Sequence, residues 1–134
     1  MPLSIKMPTQ HGTFFQHANF FVDLAHLRGS HVEGHHQDVM LRLTNGTWIR
    51  ISRNNASDTF QIGADPGIGD GMNLLFQWPV AVGTTAREAL QAFGDVHNLW
   101  PEYHHADCQV FARAVYDRLT QVPAQFAQPV DDFM

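Results

Sequence analysis

The feature that most constrains the fold is the dipeptide Asn45-Gly46, which separates two alternating apolar runs. Asn-Gly between two such runs is the strongest short-range signal for a β-hairpin, because both residues tolerate a positive φ. The apolar residues that flank the turn are Val39, Leu41 and Leu43 before it, and Trp48, Ile49 and Ile51 after it. We therefore predict an antiparallel hairpin at the centre of the chain.

Strand patterns also occur on both sides of this hairpin. Residues 20–27 alternate in a way that suits a first strand, with a short helix as the alternative, and the glycine-containing segment 28–34 predicts a loop after it. Residues 60–63 predict a further short strand. The apolar run 74–82 predicts a buried strand, in which Pro79 implies an edge position or a bulge because proline cannot donate to a sheet ladder.

Two helices are predicted in the second half of the chain. Thr85 and Glu88 have the spacing of a capping box, which starts the first helix. Asp107 is a favourable N-cap for the second helix, which then begins with Cys108. The inner faces of the two helices are Ala86, Ala89, Leu90 and Phe93, and then Phe111, Ala112, Val115 and Leu119. The sequence thus predicts an α+β fold, with a small antiparallel sheet packed against helices.

The length of 134 residues and the hydrophobic content of 44% predict one compact domain with a substantial core. Residues 1–13 are polar and aperiodic, and we expect them to form a flexible arm. Residues 124–134 are expected to form a surface tail. The single cysteine cannot form an internal disulfide, so packing alone must hold the fold together.

The charge pattern argues against two classes of partner. The formal net charge is −5, and the 8 Lys and Arg residues form no cluster, which disfavours nucleic acid and anionic membranes as ligands. No apolar run reaches membrane-spanning length, and residues 1–10 lack the apolar core of a cleavable signal peptide. We expect a soluble protein that is either cytoplasmic or exported by a route that needs no signal peptide. The sequence predicts no oligomeric state.

Cys108 is the first candidate for chemistry. At the first position of a helix, unpaired backbone N–H groups and the helix dipole stabilise a thiolate, so a nucleophilic cysteine is easily activated there. The neighbouring Asp107 opposes this effect, because a carboxylate beside a thiol disfavours the thiolate. A lone buried cysteine is also commonly just a small apolar side chain. Tyr103 and Phe111, on either side of Cys108, are expected to be core residues.

Histidine is unusually frequent, with nine residues that include the pairs His35-His36 and His104-His105. A cysteine nucleophile needs a base within hydrogen-bond reach, and His36 stands at the entrance to the predicted hairpin. Strand alternation makes its side chain face away from Val39. His36 is therefore the expected base if the cysteine helix packs on that other face, and His35 is the expected base if the helix packs on the Val39 face.

These motifs resemble those of the circularly permuted papain-fold thiol hydrolases. The closest likeness is to the PPPDE type, which includes the deSUMOylating isopeptidases, and lecithin:retinol acyltransferase-like and permuted NlpC-type enzymes are more distant kin. The resemblance covers roughly residues 20–119 and rests on three short motifs. They are Gly34-His35-His36-Gln37-Asp38-Val39, Gly83-Thr84-Thr85 and the segment from Tyr103 to Ala112, which is similar to a Tyr-…-Asn-Cys-Asn/Gln-x-Phe block.

The resemblance implies a permuted papain-like fold and a Cys-His dyad that cleaves amide or isopeptide bonds without a cofactor. Cys108 would be the nucleophile and His36, or alternatively His35, the base. Backbone N–H groups at the helix start would form the oxyanion hole, with a possible contribution from the Gln109 side chain. The implied substrate is a peptide, an isopeptide or a peptidoglycan-like molecule. Asp107 departs from the family pattern, which has asparagine before the cysteine.

Two other functions remain open at this level. His105 and Cys108 are three residues apart, and together with His35 or His36 they could form part of a tetrahedral zinc shell. In the other alternative, the protein is a noncatalytic binding module on the same fold, with Asp107 marking an inactive site. Ser52 and Asn54 on the second hairpin strand are candidates for a third residue that orients the base.

Overall fold

The computed structural model describes residues 3–6, 13–30, 36–63 and 71–120. These residues form a six-stranded sheet with helices on one face, which confirms the predicted α+β class. The strands lie in the order β1-β5-β4-β3-β2-β6, and every neighbouring pair is antiparallel except β1 and β5. The elements are β1 (Leu3–Lys6), α1 (Thr13–His17), β2 (Val22–Ser30), β3 (Gln37–Leu43), β4 (Trp48–Arg53), β5 (Asp58–Ile62), β6 (Met72–Pro79), α2 (Ala86–Leu99) and α3 (Cys108–Leu119).

The predicted central hairpin is confirmed by the pairing of β3 with β4. The Leu43 backbone N–H donates to the Thr47 carbonyl at 2.8 Å, so the connecting loop contains three residues. The last of them, Gly46, has a φ of +88°, a conformation that glycine adopts without the steric cost that other residues incur. The Asn45 side chain accepts the Thr47 N–H at 3.0 Å and fixes the loop from within. Local turn chemistry therefore sets the hairpin register.

The apolar run in the 74–82 region forms β6, but the predicted buried strand is wrong. The edge position that Pro79 implied is confirmed, because β6 is the last strand of the sheet and pairs only with β2 among the described strands. The side chains of Leu74 and Leu75 are exposed, and Phe76 is the buried residue of the strand. An edge strand has one neighbour in the sheet, so an apolar composition alone does not bury it on both faces.

The expectation of a flexible arm over residues 1–13 missed the strand β1. Leu3–Lys6 pairs in parallel with β5, in a register that places Leu3 opposite Asp58. A parallel pairing between segments this far apart in the sequence depends on the completed sheet, and the short segment has no periodicity that reveals it. The expected tail at 124–134 and the candidate His35 lie outside the described residues.

The helices pack on the face of the sheet that carries Val39, Leu41 and Leu43. The Gln37 side chain lies on this face too, because its Oε1 accepts a hydrogen bond of 3.1 Å from Arg113 of α3. Apolar side chains from the strands and both long helices fill the space between the layers. Aromatic rings form its centre, with Phe93 packed edge to face against Phe111 at a centroid distance of 6.0 Å.

The predicted starts of the two long helices are confirmed. The hydroxyl of Thr85 accepts the Glu88 N–H at 3.3 Å, and the Glu88 carboxylate accepts the Thr85 N–H at 3.1 Å, which completes the capping box of α2. Asp107 caps α3, and Cys108 is its first residue. None of the helices in the described part of the chain is long and apolar enough to span a membrane.

Candidate functional site

Cys108 lies at the helix start where the sequence placed it. Its side chain is 7% exposed and points inward from α3. The Asp107 carboxylate accepts the backbone N–H groups of Gln109 and Val110, each at 3.0 Å. Asp107 therefore satisfies two of the donors that every helix start leaves unpaired, and it holds the cysteine end of α3 in a fixed geometry.

Cys108 opens into a cleft with a volume of about 420 Å³. The same cleft is lined by His36 and Gln109, so the structure brings together three residues that the sequence singled out. The other lining residues are Arg53, Asn54, Asn55, Tyr103 and Asp107. This lining is rich in hydrogen-bonding groups, a composition that suits a polar ligand with carbonyl and amide groups.

The alternation criterion and the lining of the cleft favour different candidates for the base. The helices pack on the Val39 face, and by the alternation criterion this arrangement predicts His35 rather than His36. His36 nevertheless lines the cleft with Cys108. It stands just ahead of β3 at the end of the sheet, where its carbonyl accepts the Ser30 N–H at 2.8 Å. At the end of a ladder, a side chain is no longer enclosed by its neighbours and can reach a cleft that opens around the end.

Tyr103 is a site residue that the sequence reasoning assigned to the core. The pKa of its phenol is raised, first by its interaction with the Cys108 side chain and then by burial. The interaction of Tyr103 with the Cys108 backbone acts in the opposite direction. Tyr103 and Cys108 are therefore neighbours in the cleft that both line. A tyrosine five residues before the cysteine was the available signal.

Two backbone N–H groups of the predicted oxyanion hole are already occupied by a protein group. Asp107 accepts the N–H groups of Gln109 and Val110. A substrate oxygen that used either N–H group would therefore have to displace the Asp107 carboxylate. The Gln109 side chain lines the cleft, which is the position that its expected role requires.

Asn54 lines the same cleft as His36, but its hydrogen bonds are those of a turn residue. Its Oδ1 accepts the N–H groups of Ala56 at 2.8 Å and Ser57 at 2.9 Å. A carbonyl oxygen has two lone pairs, so this atom is fully used by the turn and is a poor acceptor for an imidazolium. Ser52, the other candidate for orienting the base, pairs with Asp38 in the register of β3 and β4.

Arg53 lines this cleft and was not identified from the sequence. It is fully buried and forms a bidentate ion pair with Asp58, at 2.7 and 2.8 Å. His97 of α2 approaches the same carboxylate, with 2.7 Å between its Nδ1 and the Asp58 Oδ2. The available signal was alternation, because Arg53 continues the inward positions of Ile49 and Ile51.

The structure does not assemble the alternative zinc shell from its described members. His105 is exposed and is absent from the lining of the cleft that contains Cys108. Its Nδ1 accepts the Glu102 N–H at 3.2 Å, which occupies the lone pair that would bind a metal. Within residues 3–6, 13–30, 36–63 and 71–120, no group of three or more His, Cys, Asp or Glu side chains is arranged to hold a metal ion.

No protein-family model, curated protein or solved structure matches this chain.

Proposed function

We propose that this protein is a cysteine-dependent hydrolase that cleaves an amide or isopeptide bond, with Cys108 as nucleophile and His36 as base. The observation that carries the proposal is that the thiol at the start of α3 and the imidazole at the entrance to β3 line one cleft. Activated cysteine nucleophiles require a base in this relation. The lining also supplies hydrogen-bonding groups for a peptide-like substrate.

The chemistry follows from these positions. His36 accepts the Cys108 proton, and the thiolate attacks the carbonyl carbon of the substrate to give a tetrahedral intermediate. His36 then donates that proton to the leaving amine as the carbon–nitrogen bond breaks, which leaves a thioester on Cys108. Water, deprotonated by His36, releases the acid and regenerates the thiol. The Gln109 side chain and the Tyr103 hydroxyl stabilise the developing oxyanion.

The arrangement of layers supports a permuted papain-like fold as part of this proposal. The helix that begins with Cys108 packs on the sheet whose strand β3 begins next to His36. The histidine precedes the cysteine in the chain, which is the order expected for the permuted type. The substrate classes that follow from the resemblance are peptides, isopeptides and peptidoglycan-like molecules.

The test is the rate of Cys108 alkylation by iodoacetamide as a function of pH, in the native protein and in His36→Ala. A thiolate held by an imidazolium reacts well below the ordinary thiol pKa of about 8.5, and this low-pH reactivity should disappear in His36→Ala. His35→Ala tests the alternative base, and His104→Ala serves as a control because His104 is exposed and is not among the lining residues. Low-pH reactivity that survives in His36→Ala would rule out this residue as the base.

One observation favours a second candidate, a noncatalytic binding module. Asp107 occupies two of the N–H groups that an oxyanion would use. In that case Cys108 should react slowly at low pH, with no dependence on either histidine. A Cys108→Ala variant that retains hydrolysis of a peptide or isopeptide substrate would exclude Cys108 as the nucleophile.

A further inference from the structure

Arg53 connects the sheet to the loop that precedes the cysteine helix. One side of its guanidinium holds the Asp58 carboxylate, and the remaining N–H groups donate to main-chain carbonyls of the loop. Its Nη1 donates to the Ala106 carbonyl at 2.8 Å and to the Glu102 carbonyl at 3.4 Å, and its Nη2 donates to the Trp100 carbonyl. A single buried side chain thus satisfies carbonyls along the whole loop between α2 and α3.

This loop carries the groups on which the proposed chemistry depends. It contains Tyr103, whose hydroxyl contacts Cys108, and it leads directly into Asp107 and the start of α3. Arg53 also contacts α3 itself, since its guanidinium carbon lies 4.3 Å from the centre of the Phe111 ring. The guanidinium is therefore in contact with the loop, the helix and the sheet at the point where all three meet.

We propose that Arg53 is the positioning residue of the cysteine site, which sets the place of Tyr103 and Cys108 relative to β3, the strand that begins next to His36. The inference rests on the proposed function for its catalytic meaning. Asp58 fixes one edge of the guanidinium, and His97 fixes Asp58 from α2. The cluster lies beside the reacting atoms and acts on them through the loop.

Only arginine can fill this role at this position. Its planar fork offers five donors in fixed directions, which here reach two carboxylate oxygens and several carbonyls at the same time. Lysine is a point charge with three donors and cannot serve the carboxylate and the loop together. Arg53→Lys therefore keeps the charge and removes the geometric link.

The chain offers a matched control in Arg28. Arg28 is also buried and forms a bidentate pair with Asp38, at 2.8 and 2.7 Å, but this pair lies between β2 and β3 on the opposite face of the sheet. Arg28→Lys removes a comparable buried fork without touching the loop before α3. A change that appears in Arg53→Lys and not in Arg28→Lys therefore reports positioning rather than a general loss of stability.

The experiment measures two properties of both variants and of the native protein: the pH dependence of Cys108 alkylation by iodoacetamide, and the titration of tyrosinate absorbance. We expect Arg53→Lys to slow low-pH alkylation by about tenfold or more, because small displacements of reacting groups have large effects on rate. We also expect the ionisation of Tyr103 to move to lower pH as its contact with Cys108 is lost. Arg28→Lys should leave both properties unchanged.

The outcomes separate the two proposals. Native-like alkylation and tyrosinate titration in a folded Arg53→Lys would overturn the positioning role. If native Cys108 shows no low-pH reactivity while the Tyr103 titration still depends on Arg53, the hydrolase proposal fails and the positioning role stands. If Arg53→Lys does not fold, His97→Phe loosens Asp58 alone and should produce the same shifts at smaller size, and their absence there would also overturn the role.

Discussion

The two buried arginine–aspartate pairs of this protein have nearly the same geometry and different surroundings. Arg53 and Asp58 pair across β4 and β5 on the helix face, whereas Arg28 and Asp38 pair across β2 and β3 on the far face. Asp38 has a second arginine partner, Arg50, at 3.2 Å, so its charge is shared among side chains of the sheet. The guanidinium of Arg53 instead extends to the loop before α3.

The difference shows what a buried ion pair can do besides contributing stability. Such a pair contributes little net free energy compared with apolar residues of similar size, so its position in the fold is more informative than its strength. The pair on the far face joins neighbouring strands that the sheet already joins. The Arg53 pair joins separate layers of the fold, and it does so next to the candidate site.

The largest effect on the free energy of unfolding should come from replacing each buried arginine with methionine, an apolar residue of similar size. Arg53→Met leaves Asp58 buried and also removes the donors of several loop carbonyls, so we expect a loss of about 3–5 kcal/mol in the free energy of unfolding. Arg28→Met should cost less, about 2 kcal/mol, because Asp38 keeps Arg50 as a partner. Urea unfolding of both variants measures the difference. Equal losses would show that the loop contacts add nothing to stability.

Asp58 and Asp38 each have a second partner, and removing these partners should give a smaller change in stability. The His97 side chain is 11% exposed and that of Arg50 is 32% exposed, while both approach a buried aspartate. We expect His97→Phe to cost about 2 kcal/mol, the value of a buried hydrogen bond to a charged group. Arg50→Met should cost less than about 1 kcal/mol, because solvent screens its contact. The same urea titration tests both, and the opposite order would contradict the contrast between the faces.

The helix face also contains a polar group that is not satisfied, in contrast to both ion pairs. The Tyr116 hydroxyl is buried on α3 without a hydrogen-bond partner in the described part of the chain. Burial, with a smaller contribution from Asp117, raises the pKa of Tyr116 to about 12. Because the unfolded chain then ionises first, stability is retained below a pH of about 10 and lost as the pH rises toward 12.

Tyr116→Phe should therefore stabilise the protein by about 1 kcal/mol near neutral pH, since it removes a buried hydroxyl without a partner. It should also abolish the loss of stability at alkaline pH that comes from the ionisation of Tyr116. Thermal unfolding from neutral pH into the alkaline range measures both effects, with the native protein as the reference. A destabilised Tyr116→Phe would show that the hydroxyl has a partner after all.

The sequence predicted those parts of the fold that depend on local chemistry. The Asn45-Gly46 hairpin, the Thr85 capping box and the start of α3 at Cys108 are all confirmed, because each is determined within a few residues. The predicted loop at 28–34 is wrong at its beginning, since β2 continues through Ser30. Arg28, Gly29 and Ser30 are residue types that are typical of loops. Their place in β2 depends on the ion pair of Arg28 with Asp38, which no local pattern indicates.

The candidate site was predictable only in part, for the same reason. Cys108 and His36 were found from local motifs, and the cleft contains both. The links that place them are between distant segments: Arg53 reaches the Ala106 carbonyl, and Tyr103 reaches Cys108 through a loop that folds back on the helix. Local patterns identify groups that can react, whereas their mutual position depends on contacts that form only when the layers assemble.

The smallest effect we predict is a loss of stability at acidic pH, which arises on the face of the sheet opposite the helices. His26 lies beside Trp48 at a ring distance of 5.1 Å, and its pKa is lowered, first by burial and then by Arg28 and Arg42. A lowered folded-state pKa means that stability is complete above the unfolded value of about 6.5 and falls as the pH drops through the folded value.

His26→Gln should therefore lose less stability on acidification than the native protein, while the exposed His104→Gln should follow the native curve. Arg28→Met should also reduce the loss, because it removes one of the charges that oppose protonation of His26, and Arg53→Met should not. If Arg53→Met changed this acid sensitivity as much as Arg28→Met did, the two faces of the sheet could not be electrostatically separate.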